Sequence, residues 1–152
     1  MNLEFAMTTG DPCPIAYVQR TCTPTELGLT IADAFQRVAE ELGRIGVDTA
    51  GSPFTRFQLV GDSDRIQFDA GFTLSSEMTS AGSLSLGCLP GGDAGSAEFE
   101  GSFDDIWAAR MALHEWVVGI GRVPIDGGWE VYAVSETSAQ DAARCEIFVS
   151  VS

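Results

Sequence analysis

The stretch IWAARMALHEWVVGIG from Ile106 to Gly121, with WEVY at Trp129 to Tyr132 after it, repeats IADAFQRVAEELGRIG from Ile31 to Gly46 and FTRF at Phe54 to Phe57, at a constant offset of 75 residues. Ile31, Ala34, Val38, Leu42, Ile45 and Gly46 fall opposite Ile106, Ala109, Leu113, Val117, Ile120 and Gly121, so an apolar helix face and its glycine stop recur in register. The aromatics that follow also match, with one substitution that changes charge: Thr55 stands opposite Glu130. A duplicated module is expected, with the site in a cleft between two similar halves that carries one added carboxylate.

Outward from this repeat, Ile15 to Thr21 alternates as a strand does. Helix one is expected from about Thr30 to Gly46, with Phe35 on its inner face, and Gly51-Ser52-Pro53 reads as a turn. Phe54 to Val60 and Arg65 to Thr73 then read as a hairpin around Gly61-Asp62-Ser63-Asp64. Residues Met1 to Pro14, punctuated by Gly10, Pro12 and Pro14, look like a loose lead-in, and Ser75 to Ser83 like a polar linker. The second half restarts with Leu84 to Leu89, a Pro90-Gly91-Gly92 turn and a strand near Ala94 to Glu100. Ser102 and Asp105 have the spacing of a capping box before helix two, whose inner face adds Trp116. Trp129 to Val134 and Arg144 to Val151 form the second hairpin, with the long polar loop Ser135 to Ala143 placed to cover something. The fold class is α+β: two β-α-β-β half-modules, about 15–74 and 84–152, in one domain spanning 1–152. The most economical assembly is an antiparallel sheet with both helices on one face, a pseudo-twofold axis and a central groove.

All eight basic residues are arginine, and 22 acidic residues bring the formal charge to −14. Such a field repels phosphate backbones and anionic headgroups, which argues against direct nucleic-acid or membrane binding and leaves a neutral or cationic ligand open. The start lacks the basic and apolar regions of a secretory signal, and no apolar run approaches a membrane span, so a cytoplasmic protein is expected. Cys13, Cys22, Cys88 and Cys145 lack C-x-x-C spacing and a histidine cluster, so they read as small buried hydrophobes, with no metal and no cofactor. His114 is the single histidine and receives no acid-base role. Nucleophile elbows and phosphate loops are missing from the sequence, and Gly91-Gly92 and Gly127-Gly128 precede strands, where phosphate-cradling glycines precede helices.

Leu89-Pro90-Gly91-Gly92, Phe99-Glu100-Gly101-Ser102-Phe103, Trp116, Trp129-Glu130-Val131-Tyr132 and Cys145-Glu146-Ile147-Phe148-Val149 together make the second half resemble the GyrI-like small-molecule-binding domain. That is the fold of gyrase-inhibitory proteins and of the effector-binding modules of multidrug-responsive and AraC-type bacterial regulators. The first half resembles it more weakly, through its helix, Pro53 to Phe57 and Phe68 to Phe72, so the likeness spans about 15 to 152. It implies that Glu130 stands where the family's glutamate projects into an aromatic-lined cavity and meets the cationic or polar part of a lipophilic compound. Two positions depart from the pattern: Gly101-Ser102-Phe103 replaces Gly-Pro-Tyr, and Ser150 replaces the proline near the end. Residues 1 to 14 are too few for a helix-turn-helix, so a stand-alone binder or enzyme is expected.

Strand alternation places Glu130 and Tyr132 on one face and Trp129 and Val131 on the other. A desolvated carboxylate is costly and is usually kept for a task, so Glu130 is the first site candidate. Phe57, Phe99, Trp107, Trp129 and Tyr132 are the candidate stacking walls. Three functions are compatible with this set. The favoured one is binding of lipophilic, aromatic, often cationic compounds, for drug sensing or sequestration. The second is hydrolysis of cyclopropane-bearing DNA-alkylating antibiotics, implied by the resemblance to stand-alone enzymes, with Glu130 positioning water and Tyr132 stabilising a phenolate. The third is a gyrase-inhibitor-like protein interaction through the acidic surface. A separate regulator or gyrase is a possible protein partner, and monomer and homodimer both remain open.

Overall fold

The computed structural model describes residues 2–47, 51–58, 65–102, 105–125, 127–132 and 142–152. The chain divides into two compact units, Pro12–Pro90 and Met1–Asp11 with Gly91–Ser152. The Gly61 to Asp64 turn and most of the Ser135 to Ala143 loop lie outside the described residues.

In the Pro12–Pro90 unit, β2 (Cys13–Cys22), α1 (Leu27–Arg44), β3 (Pro53–Phe57) and β4 (Ile66–Thr73) follow the expected β-α-β-β order, and β5 (Ser85–Leu89) completes an antiparallel sheet. The strand order is β5-β2-β4-β3. Val38 and Leu42 of α1 pack with Ala16, Ala81 and Leu84, against Val18 and Phe72. Full burial of such side chains is worth about 1.5–3 kcal/mol each.

In the other unit, β6 (Gly92–Ser102), α2 (Ile106–Gly119), β7 (Trp129–Tyr132) and β8 (Ala142–Ser150) repeat the order, and β1 (Asn2–Gly10) completes the sheet. Here the order is β1-β6-β8-β7, again antiparallel throughout. Each unit is therefore one β-α-β-β run plus one further strand, the next in the chain for the Pro12–Pro90 unit and the N-terminal strand for the other. Helix ends recur bond for bond: Val47 N–H donates to the Leu42 carbonyl at 2.8 Å and Arg122 N–H to that of Val117 at 3.1 Å. Gly46 and Gly121 close the two helices at φ of 86° and 87°, where a side chain would be strained.

Several expectations are corrected. The supposed lead-in is β1, paired with β6 along its whole length. Leu3, Phe5 and Met7 alternate with Glu4, Ala6 and Thr8, and Phe5 stacks on Trp116 at 5.5 Å between centroids. Leu84 to Leu89 does not open the second half, because β5 pairs with Cys13–Tyr17. Helix two has Asp105 at its N-cap with no side-chain cap bond, while residues 103–104 and the side chain of Ser102 lie outside the description. Ile120, expected on the inner face, is exposed, and Trp116 is half-buried. Cys88 is exposed, unlike buried Cys22 and Cys145. Among the described residues no helix is long and apolar enough to cross a membrane.

Candidate functional site

The site is built within the unit that contains α2. Glu130 pairs with Ile147 and Tyr132 with Cys145 across β7 and β8, so both project to the sheet face covered by α2. Trp129 and Val131 point the other way, and Trp129 stacks on Phe148 with centroids 5.1 Å apart. The buried stripe of α2 is Ile106, Ala109, Arg110, Leu113 and Val117, which places a guanidinium among apolar residues and over β7.

Glu130 is 0% exposed and Arg110 5%. Arg110 Nη1 donates to Glu130 Oε2 at 2.9 Å, and Tyr132 Oη donates to Glu130 Oε1 at 2.6 Å. Arg110 Nη2 donates to the Gly127 carbonyl. The guanidinium carbon also lies 5.7 Å from the centroid of the Trp107 ring, and Trp107 is 48% exposed. Desolvating either charge alone would cost several kcal/mol, which their mutual attraction and the added hydrogen bonds offset. Gly128 explains how the backbone comes so close. At φ +85°, a Cβ there would lie 2.6 Å from the Phe148 carbonyl oxygen and 3.3 Å from Arg110 Nη2.

The expected lone carboxylate is therefore a member of a Tyr-Glu-Arg group. Cys145, beside it, has its thiol pushed up by burial and then by the negative charge of Glu130, partly opposed by Arg110. A cavity of about 340 Å³ in the same unit opens on the other face of the sheet, that of Val131, where Glu4, Glu98, Glu100, Glu146 and Arg144 border it; Glu130 and Arg110 do not line it. Of its four carboxylates, Glu4, Glu98 and Glu146 stand in register across β1, β6 and β8. Burial, then repulsion from Glu98, raises the carboxyl of Glu146.

Of the sequence candidates, Glu130, Tyr132 and Trp107 are brought together through Arg110. Phe99 is buried on the same sheet face, in register with Cys145. Trp129 lies on the opposite face of β7 from Glu130, and Phe57 belongs to the other unit, packed against Phe68 at 5.8 Å. Arg110 and the Gly127 carbonyl were not anticipated. The signal for Arg110 was a charge four residues after Ile106, on the apolar stripe; a backbone carbonyl leaves no such trace in sequence.

The unit is an α+β fold with a buried Tyr-Glu-Arg group under its helix. The chain belongs to the GyrI-like small-molecule-binding domain family, whose description matches residues 4–152. Among curated proteins none matches it. Of solved structures, the EcmrR C-terminal domain is similar with a TM-score of 0.76 at 15% identity, covering 100% of this chain and 99% of that one. A hydrolase from Listeria innocua gives 0.64 at 10% identity, covering 98% and 92%. SAV2435 bound to tetraphenylphosphonium gives 0.60 at 12% identity, covering 98% and 94%. At these identities the likeness is one of fold.

Proposed function

We propose that this protein binds lipophilic, aromatic, often cationic small molecules and acts by sensing or sequestering them. The observation that carries the reading is Glu130, wholly buried on the helix-covered face of β7, held by Tyr132 and Arg110 next to a half-exposed indole. A paired carboxylate held in a buried position that uncharged residues can fill is a mark of a functional site. Trp107 offers a face for stacking and cation-π contact, worth about 0.5–2 kcal/mol. Membership of a small-molecule-binding family and the tetraphenylphosphonium complex of a structural neighbour support the choice of ligand class. The test is titration with tetraphenylphosphonium followed by tryptophan fluorescence. Saturable quenching that weakens in Glu130→Gln is expected; affinity unchanged by that substitution would remove Glu130 from the site.

A second reading, hydrolysis of cyclopropane-bearing alkylating compounds, is favoured by the 2.6 Å bond from Tyr132 to Glu130, which couples a proton donor to a carboxylate. Glu130 would orient the attacking water and Tyr132 would stabilise the leaving phenolate. Chromatography after incubation with such a compound decides it, and product at the level of buffer alone excludes the reaction.

A further inference from the structure

The guanidinium of Arg110 already makes the contacts a cationic ligand would seek. It reaches a carboxylate through Nη1, a carbonyl oxygen through Nη2, and an aromatic face at 5.7 Å. We infer that Arg110 is a built-in surrogate for the ligand's positive charge, so that a cation engages Glu130 only by exchange, with Arg110 displaced toward solvent. This inference rests on the ligand-binding reading and adds the element that sets its charge selectivity.

Three observations carry it. Glu130 is wholly buried under Arg110 and Tyr132, which donate to Oε2 and Oε1, so a second cation gains a close ion pair only where the first withdraws and opens the approach. Arg110 has a route out, because its stacking partner Trp107 is 48% exposed one turn nearer the helix start, and a long flexible stem can carry its charge to water. The charge pair is also peculiar to this half of the repeat: Phe35 and Thr55 stand at the positions equivalent to Arg110 and Glu130. The two charges thus come together or not at all, as an internal ion and its receptor would.

Exchange makes a specific demand on selectivity. A cation entering the wild-type protein replaces one ion pair with another, and its net advantage over a neutral molecule of the same shape is small. Removing the resident cation restores that advantage, because the ligand then meets a carboxylate relieved of its arginine partner.

The experiment compares tetraphenylphosphonium with neutral triphenylphosphine oxide by calorimetric titration of the wild type, Arg110→Met, and Arg110→Met with Glu130→Gln. The wild-type affinities should agree within roughly threefold, while Arg110→Met should favour the cation by about tenfold or more through tighter cation binding. The double variant should lose that preference. A second measurement uses the unaltered protein: the Nε–H resonance of Arg110 in a nitrogen-15 spectrum should move toward its solvent-exposed position on saturation with the cation, and stay in place with the neutral probe. An unchanged affinity ratio in folded Arg110→Met, or an Arg110 resonance indifferent to bound cation, overturns the exchange while leaving ligand binding intact. Should neither probe bind any of the three proteins, the functional reading itself falls and the exchange falls with it.

Discussion

Arg110 reaches Glu130 across 2.9 Å from the fifth residue of α2 to the second of β7, and the residues 75 positions earlier, Phe35 and Thr55, carry no charge. Thr55 is buried as completely as Glu130, and Phe35 is half-buried beside Phe72 at 6.0 Å. The same local frame therefore holds an uncharged pair in one unit and a charged pair in the other. Uncharged residues are therefore compatible with this frame, and the local fold does not require the charged pair.

Stability should show the two charges as a coupled pair. Arg110→Ala or Glu130→Ala strips a buried charge of its ion-pair partner and should cost about 3–5 kcal/mol, measured by urea unfolding. The double replacement Arg110→Phe with Glu130→Thr, which imports the residues of the first half, should cost less than either single change. Additive losses would mean that the two side chains do not support each other in the folded protein.

Helix α2 is seated on Gly95, where a Cβ would meet Val117 Cγ2 at 2.5 Å. Gly95→Ala should therefore push α2 off the sheet and cost about 1–3 kcal/mol through overpacking. Because Arg110 rides on α2 and Glu130 on β7, ligand affinity should fall with it. Adding Val117→Ala removes the opposing methyl and should recover part of both losses. If the second substitution only deepens the defect, close helix seating is not what Gly95 provides.

The repeat made the helix ends and the facing of Glu130 and Tyr132 legible, because a glycine stop and a period of two are local properties of the chain. Arg110 escaped for a physical reason. An arginine on an apolar stripe is ordinarily read as a charge that reaches out to water, and its partner lies 20 residues away on another element. Ile120 fits the stripe by spacing but sits at the C-cap of α2, past the part that meets the sheet. For β1, the alternation of Leu3, Phe5 and Met7 is the strand signal, and Gly10, Pro12 and Pro14 mark where that strand stops and the next begins. The edge strands β1 and β5 join sheets through long-range pairing, which no local pattern specifies.

A pH-dependent anchor lies in the Pro12–Pro90 unit. Glu41 Oε2 accepts from the Ser83 amide at 2.9 Å and from Ser83 Oγ at 3.0 Å, while Arg44 binds both of its carboxylate oxygens. These partners, Arg44 first, hold its carboxyl well below the ordinary 4.5. A depressed carboxylate stabilises the fold fully above its unfolded value and progressively less as pH falls toward the folded one. Wild type should thus exceed Glu41→Gln in urea midpoint near neutrality, with the gap narrowing once pH drops below about 4.5. A gap of constant size down to about pH 3 would show that the carboxylate charge contributes nothing.

Thiol chemistry gives an independent view of the Tyr-Glu-Arg group. Cys145 lies in register between Phe99 and Tyr132, buried, with its thiol raised by desolvation and by Glu130, whereas Cys88 is exposed. The thiolate is the reactive form, so both burial and that shift protect Cys145. Brief alkylation near neutral pH, read by mass spectrometry of peptides, should modify Cys88 and spare Cys145 in the native protein. Lifting α2 by Gly95→Ala should expose Cys145 to the reagent before global unfolding, since the helix and the charged group form the cover on that face of the sheet. Equal labelling of Cys88 and Cys145 in the wild type would show that the cover opens freely, and the buried pair of Arg110 and Glu130 would then have no dry environment in which to act.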